Sequence, residues 1–86
     1  MEYTTQREEI FAADESGRRL AEITFPETAP GVFTINHTFV DDSLRGQGIA
    51  GELVRRAVAQ IRANGGQVQA TCSYAVGWLA RHPQED

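Results

Sequence analysis

The chain contains no lysine: all eight of its basic residues are arginines. A lysine Schiff base, the lysine contact of a triphosphate-binding loop and acetylation of the protein's own side chains are therefore excluded. A single cysteine, Cys72, cannot form an internal disulfide. No uninterrupted apolar run approaches the ~20 residues of a membrane span. The N-terminus, MEYTTQREEI, is polar and acidic where a secretory signal is basic and then apolar. Together these absences predict a cytoplasmic protein that does not engage membranes. The formal net charge of −4 argues against nucleic acid as a partner, because such binding is driven by phosphate neutralisation.

What is present is ordinary for one small globular domain spanning residues 1–86, with 41% hydrophobic and 23% charged residues. Residues 7–13 and 18–25 flank the turn cluster Asp-Glu-Ser-Gly and read as a β-hairpin. In its second arm Ala21, Ile23 and Phe25 alternate with Glu22 and Thr24, the period of a strand with one buried face. Pro26, Pro30 and Gly31 then break the chain. The run 32–40, VFTINHTFV, reads as one strand with Phe33, Ile35, His37 and Phe39 on a common face. A helix is predicted over about 48–64, with Ala50, Leu53, Val54, Ala57, Val58 and Ile61 inside an arc of roughly 140°. Asn64-Gly65-Gly66 stops it. A strand over 67–74 and a short final helix ended by Pro83 complete the order β-β-β-α-β-α. Strand, helix and strand from 32 to 74 make one crossover, so those strands are expected to be parallel. The fold class is α+β, a small mixed sheet with helices packed against it.

The stretch RGQGIAG carries Gly46, Gly48 and Gly51 in the spacing of a dinucleotide-binding turn. That turn requires an acid roughly 20 residues further on, but no Asp or Glu lies between Glu52 and Glu85. Nor is there room for a second βαβ unit, so a nicotinamide or flavin site is rejected. A glycine turn opening a helix still offers unpaired N–H groups at the positive end of a dipole, which suits a pyrophosphate. Arg45 adds charge and donors. A tight turn without ligand is the alternative on the glycines alone.

With its surroundings, VDDSLRGQGIAGELVRRAV resembles the acetyl-coenzyme A signature of the GNAT acetyltransferase superfamily, [RQ]-x-x-G-x-[GA], at Arg45, Gly48 and Ala50. More narrowly, HTFV, RGQGIA, CSYA and RHP resemble a small single-domain GNAT-like family that lacks the helices usually following the first strand. The resemblance implies a splay between the strand before the loop and the strand after the helix, with the pantetheine arm of acetyl-coenzyme A in the gap. It implies backbone contacts from Thr38, Phe39 and Val40, and a pyrophosphate wrapped by Arg45, Gly46, Gln47, Gly48, Ile49 and Ala50. Cys72, Ser73 and Tyr74 would lie near the thioester. Asp42 departs from the family, which often carries proline there, and a carboxylate beside a phosphate is mildly unfavourable.

Acetyl transfer to an amine needs a deprotonated nucleophile, an oxyanion donor and a proton for the departing thiolate. Cys72 is a candidate to accept the acetyl group or to sit beside it, or it is an inert buried thiol. His37 is a candidate base or a structural histidine. Tyr74 is a candidate acid or a core aromatic. A backbone N–H near Phe39 or Val40 would serve the oxyanion. His82 marks a helix end, Trp78 and Leu79 pack the last helix, and Cys72, His37 and His82 lack a metal-ligand spacing, so no metal is expected. The reading is an acetyl-coenzyme A-dependent N-acetyltransferase acting on a small-molecule or protein amine. The rival reading is a coenzyme A-binding module without efficient catalysis. The sequence leaves open whether the chain is a monomer or a weak dimer.

Overall fold

In the computed structural model, which describes residues 1–82, nine regular elements follow one another. They are β1 (Thr4–Thr5), β2 (Glu9–Ala13), β3 (Arg19–Thr24), β4 (Glu27–Ala29), β5 (Val32–Ile35), β6 (His37–Val40), α1 (Ile49–Ala63), β7 (Gln67–Ala70) and α2 (Ser73–Arg81). The β2–β3 hairpin closes where the sequence places its turn. The Asp14 carboxylate accepts from the N–H groups of Ser16 and Arg18 and from the Ser16 hydroxyl, an Asx-type turn that fixes the register. Ile10, Ala12, Ala21, Ile23 and Phe25 all point into the core, as the alternation requires.

The run 32–40 is not one strand. It breaks at Asn36 into β5 and β6, and the two halves join different sheets. β6 pairs antiparallel with β3 at the edge of the order β1-β2-β3-β6. β5 lies between β4 and β7, antiparallel to the first and parallel to the second. The bend shifts the alternation: Phe33 and Ile35 are buried, but the next half-buried positions are Thr38 and Val40, while His37 and Phe39 are exposed. The expectation that His37 and Phe39 share a face with Ile35 is therefore corrected. A two-residue period counted through Asn36 places them on the wrong side, since one extra residue is spent on the bend.

Two short strands also go beyond the sequence reading. The PETAPG segment does not simply interrupt the chain, because β4 pairs with β5 around a Pro30-Gly31 turn in which Gly31 takes φ +75°. β1 adds an edge to β2. The expected single mixed sheet is thus two sheets that share the bent path through Asn36 and through Phe25-Pro26, where the backbone bonds Asn36 N–H to Thr24 and Thr34 N–H to Pro26 bridge them.

α1 packs its predicted stripe on this platform. Leu53, Val54, Ala57, Val58 and Ile61 are buried against Ile10, Ile23, Phe25, Phe33 and Ile35. Its C-terminus is a Schellman motif: Gly65 N–H bonds to the Arg62 carbonyl and Gly66 N–H to that of Ile61, with Gly65 at φ +73°. β7 is shorter than expected. It ends at Ala70, so Cys72 caps α2, and Ser73 and Tyr74 belong to that helix's first turn. The reason is local: the β5–β7 ladder ends at Ile35–Ala70, where the Ile35 carbonyl accepts from both Thr71 and Cys72. Trp78 is buried and stacks on His82 with centroids 4.0 Å apart. His82 is the C-cap, its Nδ1 2.8 Å from the Trp78 carbonyl oxygen. Pro83, expected to end this helix, lies outside the described residues. No described helix is long and apolar enough to cross a membrane.

Candidate active site

The break at Asn36 creates the site. β5 stays paired with β7, whereas β6 turns away to β3, so past Ala70 the two paths diverge. β6 is the last strand of its sheet, and among the described residues the backbone groups along its outer edge have no strand partner. Across the gap stands the start of α2. Thr38 and Cys72 face each other there, with Thr38 Oγ1 3.4 Å from Cys72 Sγ.

Cys72 is half-buried at the N-cap of α2. Burial pushes its thiol up. The Thr38 hydroxyl and the N–H groups of Ala75, Tyr74 and Thr38 together outweigh that, leaving the thiol below the ordinary cysteine value. The shift is that of a depressed acid, so the stability it adds is complete above the unfolded value and is lost as pH falls through the folded one. Iodoacetamide should alkylate folded Cys72 with a pH midpoint below that of the urea-unfolded chain, which is expected near the free value of about 8.5. A folded midpoint at or above the unfolded one would show that burial wins.

At the mouth of the gap the loop from Asp41 leads into α1. The Asp41 carboxylate accepts from the N–H and hydroxyl of Ser43 and binds Arg18. Gly46 and Gly48 take φ +80° and +72°, the left-handed region. Gly48 is the N-cap of α1 and supplies no side-chain cap; the first bond back to it comes from Glu52 N–H. The N–H groups of Ile49, Ala50 and Gly51 therefore stand open at the positive end of the dipole. A Cβ built on Gly46 or Gly48 would meet nothing within 4 Å, so the space over the loop is clear. Val40, Arg45, Gly46, Gly48, Ile49, Ala50 and Tyr74 border one pocket of about 220 Å³, together with Gly51 and with Leu44, which the sequence did not single out.

Gly51, which the sequence offered only as the last glycine of the rejected dinucleotide spacing, has a packing role. A Cβ there would lie 3.4 Å from the Tyr74 hydroxyl and 3.6 Å from Trp78 Nε1, so this glycine sits where α2 crosses α1. Those are ordinary contact distances, and Gly51→Ala is expected to keep stability or raise it by up to about 1 kcal/mol through helix propensity, read from the melting temperature. A fall of several degrees would show the crossing to be tighter.

The predicted residues divide into two groups. Thr38, Val40, Cys72 and Tyr74 gather around the gap with the loop residues Arg45, Gly46, Gly48, Ile49 and Ala50, while Gln47 and Ser73 are exposed at its rim. His37 and Phe39 contribute backbone to β6, but their side chains lie on the sheet's other face, where His37 Nε2 is 3.0 Å from Glu22 Oε2. Nothing in the sequence pairs Glu22 with His37; only the β3–β6 register does. Among the described residues no three His, Cys, Asp or Glu side chains come together as a metal site would need.

A sequence model of GCN5-related N-acetyltransferases matches residues 9–86. The chain belongs to that family. A GCN5-like protein from Staphylococcus aureus, solved by NMR, superposes with a TM-score of 0.79 at 30% identity, over 98% of this chain and 82% of that one. More distant structures of similar fold extend well beyond the shared part. Nourseothricin acetyltransferase matches 67% of this chain and 35% of its own, with a TM-score of 0.54 at 19% identity. A ribosomal-protein-alanine N-acetyltransferase from Brucella melitensis matches 72% and 48%, with a TM-score of 0.53 at 21% identity. No curated protein matches by sequence. As a member of this N-acetyltransferase family, the chain has the α+β architecture with antiparallel strands leading into a βαβ crossover that the sequence implies.

Proposed function

We propose that the protein transfers an acetyl group from acetyl-coenzyme A to the nitrogen of an amine. The observation that carries this reading is the divergence of β6 from β7 with an uncapped helix N-terminus at its mouth. The residues present fit the donor. Open space over Gly46 and Gly48 admits a phosphate to the backbone, the N–H groups of Ile49, Ala50 and Gly51 offer it donors, and the exposed Arg45 guanidinium supplies charge. The outer edge of β6, where the Thr38 carbonyl and the Val40 backbone groups face away from β3, offers an amide-bearing arm the same bonds that another strand would make, with Phe39 between them. Bound acetyl-coenzyme A would supply an acetyl group already activated as a thioester.

The chain's own groups then have defined roles. The Thr38–Cys72 contact closes the inner end of the gap, and the reacting end beside it is held away from bulk water. The Tyr74 hydroxyl, at the pocket beside Gly51, is the proton donor at the thiol end, and Cys72 borders the thioester. His37 holds the proton leaving the amine. The acceptor is an amine on a small molecule or a protein, and the site of action is the cytoplasm.

The test is release of free thiol from acetyl-coenzyme A in the presence of an amine panel, followed in wild type and in Cys72→Ala. Amine-dependent release that falls about tenfold or more in the variant supports the roles given. Unchanged turnover removes Cys72 from the chemistry, and binding of coenzyme A with no amine-dependent release identifies a module that binds without catalysing.

Asp42 tunes the same loop. Its Oδ1 lies 3.1 Å from Arg45 Nε with both side chains exposed, so it competes for the guanidinium and adds a negative charge near the phosphate path. Asp42→Asn is expected to tighten coenzyme A binding roughly two- to fivefold at low salt, an effect screened away near 0.5 M. Weaker binding in the variant would mean that Asp42 serves to hold Arg45 in position.

A further inference from the structure

The side-chain alternation that shifts at Asn36 places two chemistries on opposite faces of one strand. Thr38 points inward to Cys72, whereas its neighbour His37 points outward, half-exposed, at the point where β6 parts from β7. Glu22 stands opposite Phe39 on β3 and reaches diagonally to His37, its Oε2 3.0 Å from Nε2. A carboxylate accepts and does not donate, so this contact puts the ring proton on Nε2. The other nitrogen, Nδ1, has no hydrogen-bond partner among the described residues, and in that tautomer it carries the free lone pair.

Glu22 is itself held. Arg19 reaches its other oxygen at 3.4 Å, bonds Glu9 on β2 and lies over the Phe11 ring at 3.8 Å. Beside the dyad runs an open groove of about 740 Å³ lined by Gln6, Arg7, Glu9, Thr24, Pro26 and Asn36. Thr24 is the cross-strand neighbour of His37, and Asn36 precedes it in the chain. The groove therefore ends next to His37, on the face opposite α1, and the exposed Phe39 follows His37 on that same face of β6.

The geometry points to Glu22 as the positioning residue of the reaction: it fixes the His37 tautomer so that Nδ1 takes the proton of an acceptor amine entering along this groove. The step balances simply. The ammonium N–H bond breaks, the proton moves to Nδ1, and the amine keeps its lone pair. The resulting imidazolium faces the Glu22 carboxylate and then gives the proton to water. This inference rests on the acetyltransferase reading above and goes beyond it in naming the face, the tautomer and the residue that sets it.

Two measurements test it. Ring nitrogen NMR of His37, at a pH where the ring is neutral, should show the Nε2–H tautomer in the wild type and a mixed population in Glu22→Ala, whatever amine is used. With cadaverine, phenethylamine and a peptide bearing a free N-terminal alanine as acceptors, His37→Ala should lower kcat by about 10²-fold and Glu22→Ala by roughly tenfold. Glu22→Asp should recover part of the loss. The KM for acetyl-coenzyme A and the coenzyme A affinity should stay unchanged in all three variants. A wild-type Nδ1–H tautomer, or full turnover in Glu22→Ala, overturns the inference while leaving the cofactor reading intact. Loss of coenzyme A binding in the wild type would instead strike that reading itself.

Discussion

Gly48→Val is expected to weaken coenzyme A binding by about a hundredfold or more, equivalent to roughly 2.7 kcal/mol. Two effects converge at this position. Gly48 caps α1 with φ 72° and ψ 20°, a conformation that costs an L-residue on the order of 1–2 kcal/mol and a β-branched one more. Ordinary N-caps are extended and carry Ser, Thr, Asp or Asn to bond the first N–H groups. Here the left-handed cap leaves those groups uncovered, which is of no use to a resting helix and of direct use to an anion. The second effect is steric. A Cβ at Gly48 projects into open space rather than into protein, so a branched side chain would stand where the pyrophosphate approaches. Gly48→Ala carries much of the backbone strain with less of the obstruction and should fall between wild type and valine. Calorimetric titration, with melting temperatures measured alongside, separates lost affinity from lost fold. Retention of wild-type affinity in Gly48→Val would show that the ligand does not pass over this loop.

Gly66→Ala is expected to be strongly destabilising. Gly66 has no positive φ to explain its identity. Its constraint is contact: an added Cβ would lie 2.6 Å from Cδ1 and 2.7 Å from Cε1 of Phe33, and 3.2 Å from Ile61. Phe33 is 1% exposed, so its ring has no solvent to swing into, and the crossover between α1 and β7 must open to admit the methyl. Overpacking of this kind costs about 3 kcal/mol, which for a domain of this size lowers the melting temperature by roughly 12–24 °C. Thermal unfolding checks it, with Gly65→Ala as the comparison. That position is left-handed with empty space around it and should cost only about 1 kcal/mol. Equal shifts at the two positions would mean that backbone conformation, not Phe33, decides both.

These two glycines also show what a sequence can carry. Both belong to turns that were legible: Gly48 opens the predicted helix, and Gly65-Gly66 closes it, because apolar periodicity and capping residues are local signals. The buried stripe from Leu53 to Ile61 and the Asp14 turn were readable for the same reason. Asn36 was not. The residues from Val32 to Val40 are uniformly suited to strands, and a bend that reassigns half of them to another sheet depends on partners at Thr24 and Ala70 far away in sequence. That bend sends His37 and Phe39 outward. β1 and β4 escaped notice because their side chains are exposed and leave no hydrophobic period. The partnership of Glu22 with His37 is likewise a product of register. The loop at Arg45, Gly48 and Ala50 could be singled out as a candidate phosphate site from its glycines, whereas the gap beside it exists only because β6 leaves the path of β5 and β7.

The most direct measurement of the central claim is titration of the wild-type protein with coenzyme A by calorimetry. Saturable binding at one molecule per chain is expected, with amide NMR shifts concentrated at residues 38–40, 45–51 and 72–74. No heat and no shifts at millimolar coenzyme A, or shifts confined to the opposite face around Glu22, would contradict it.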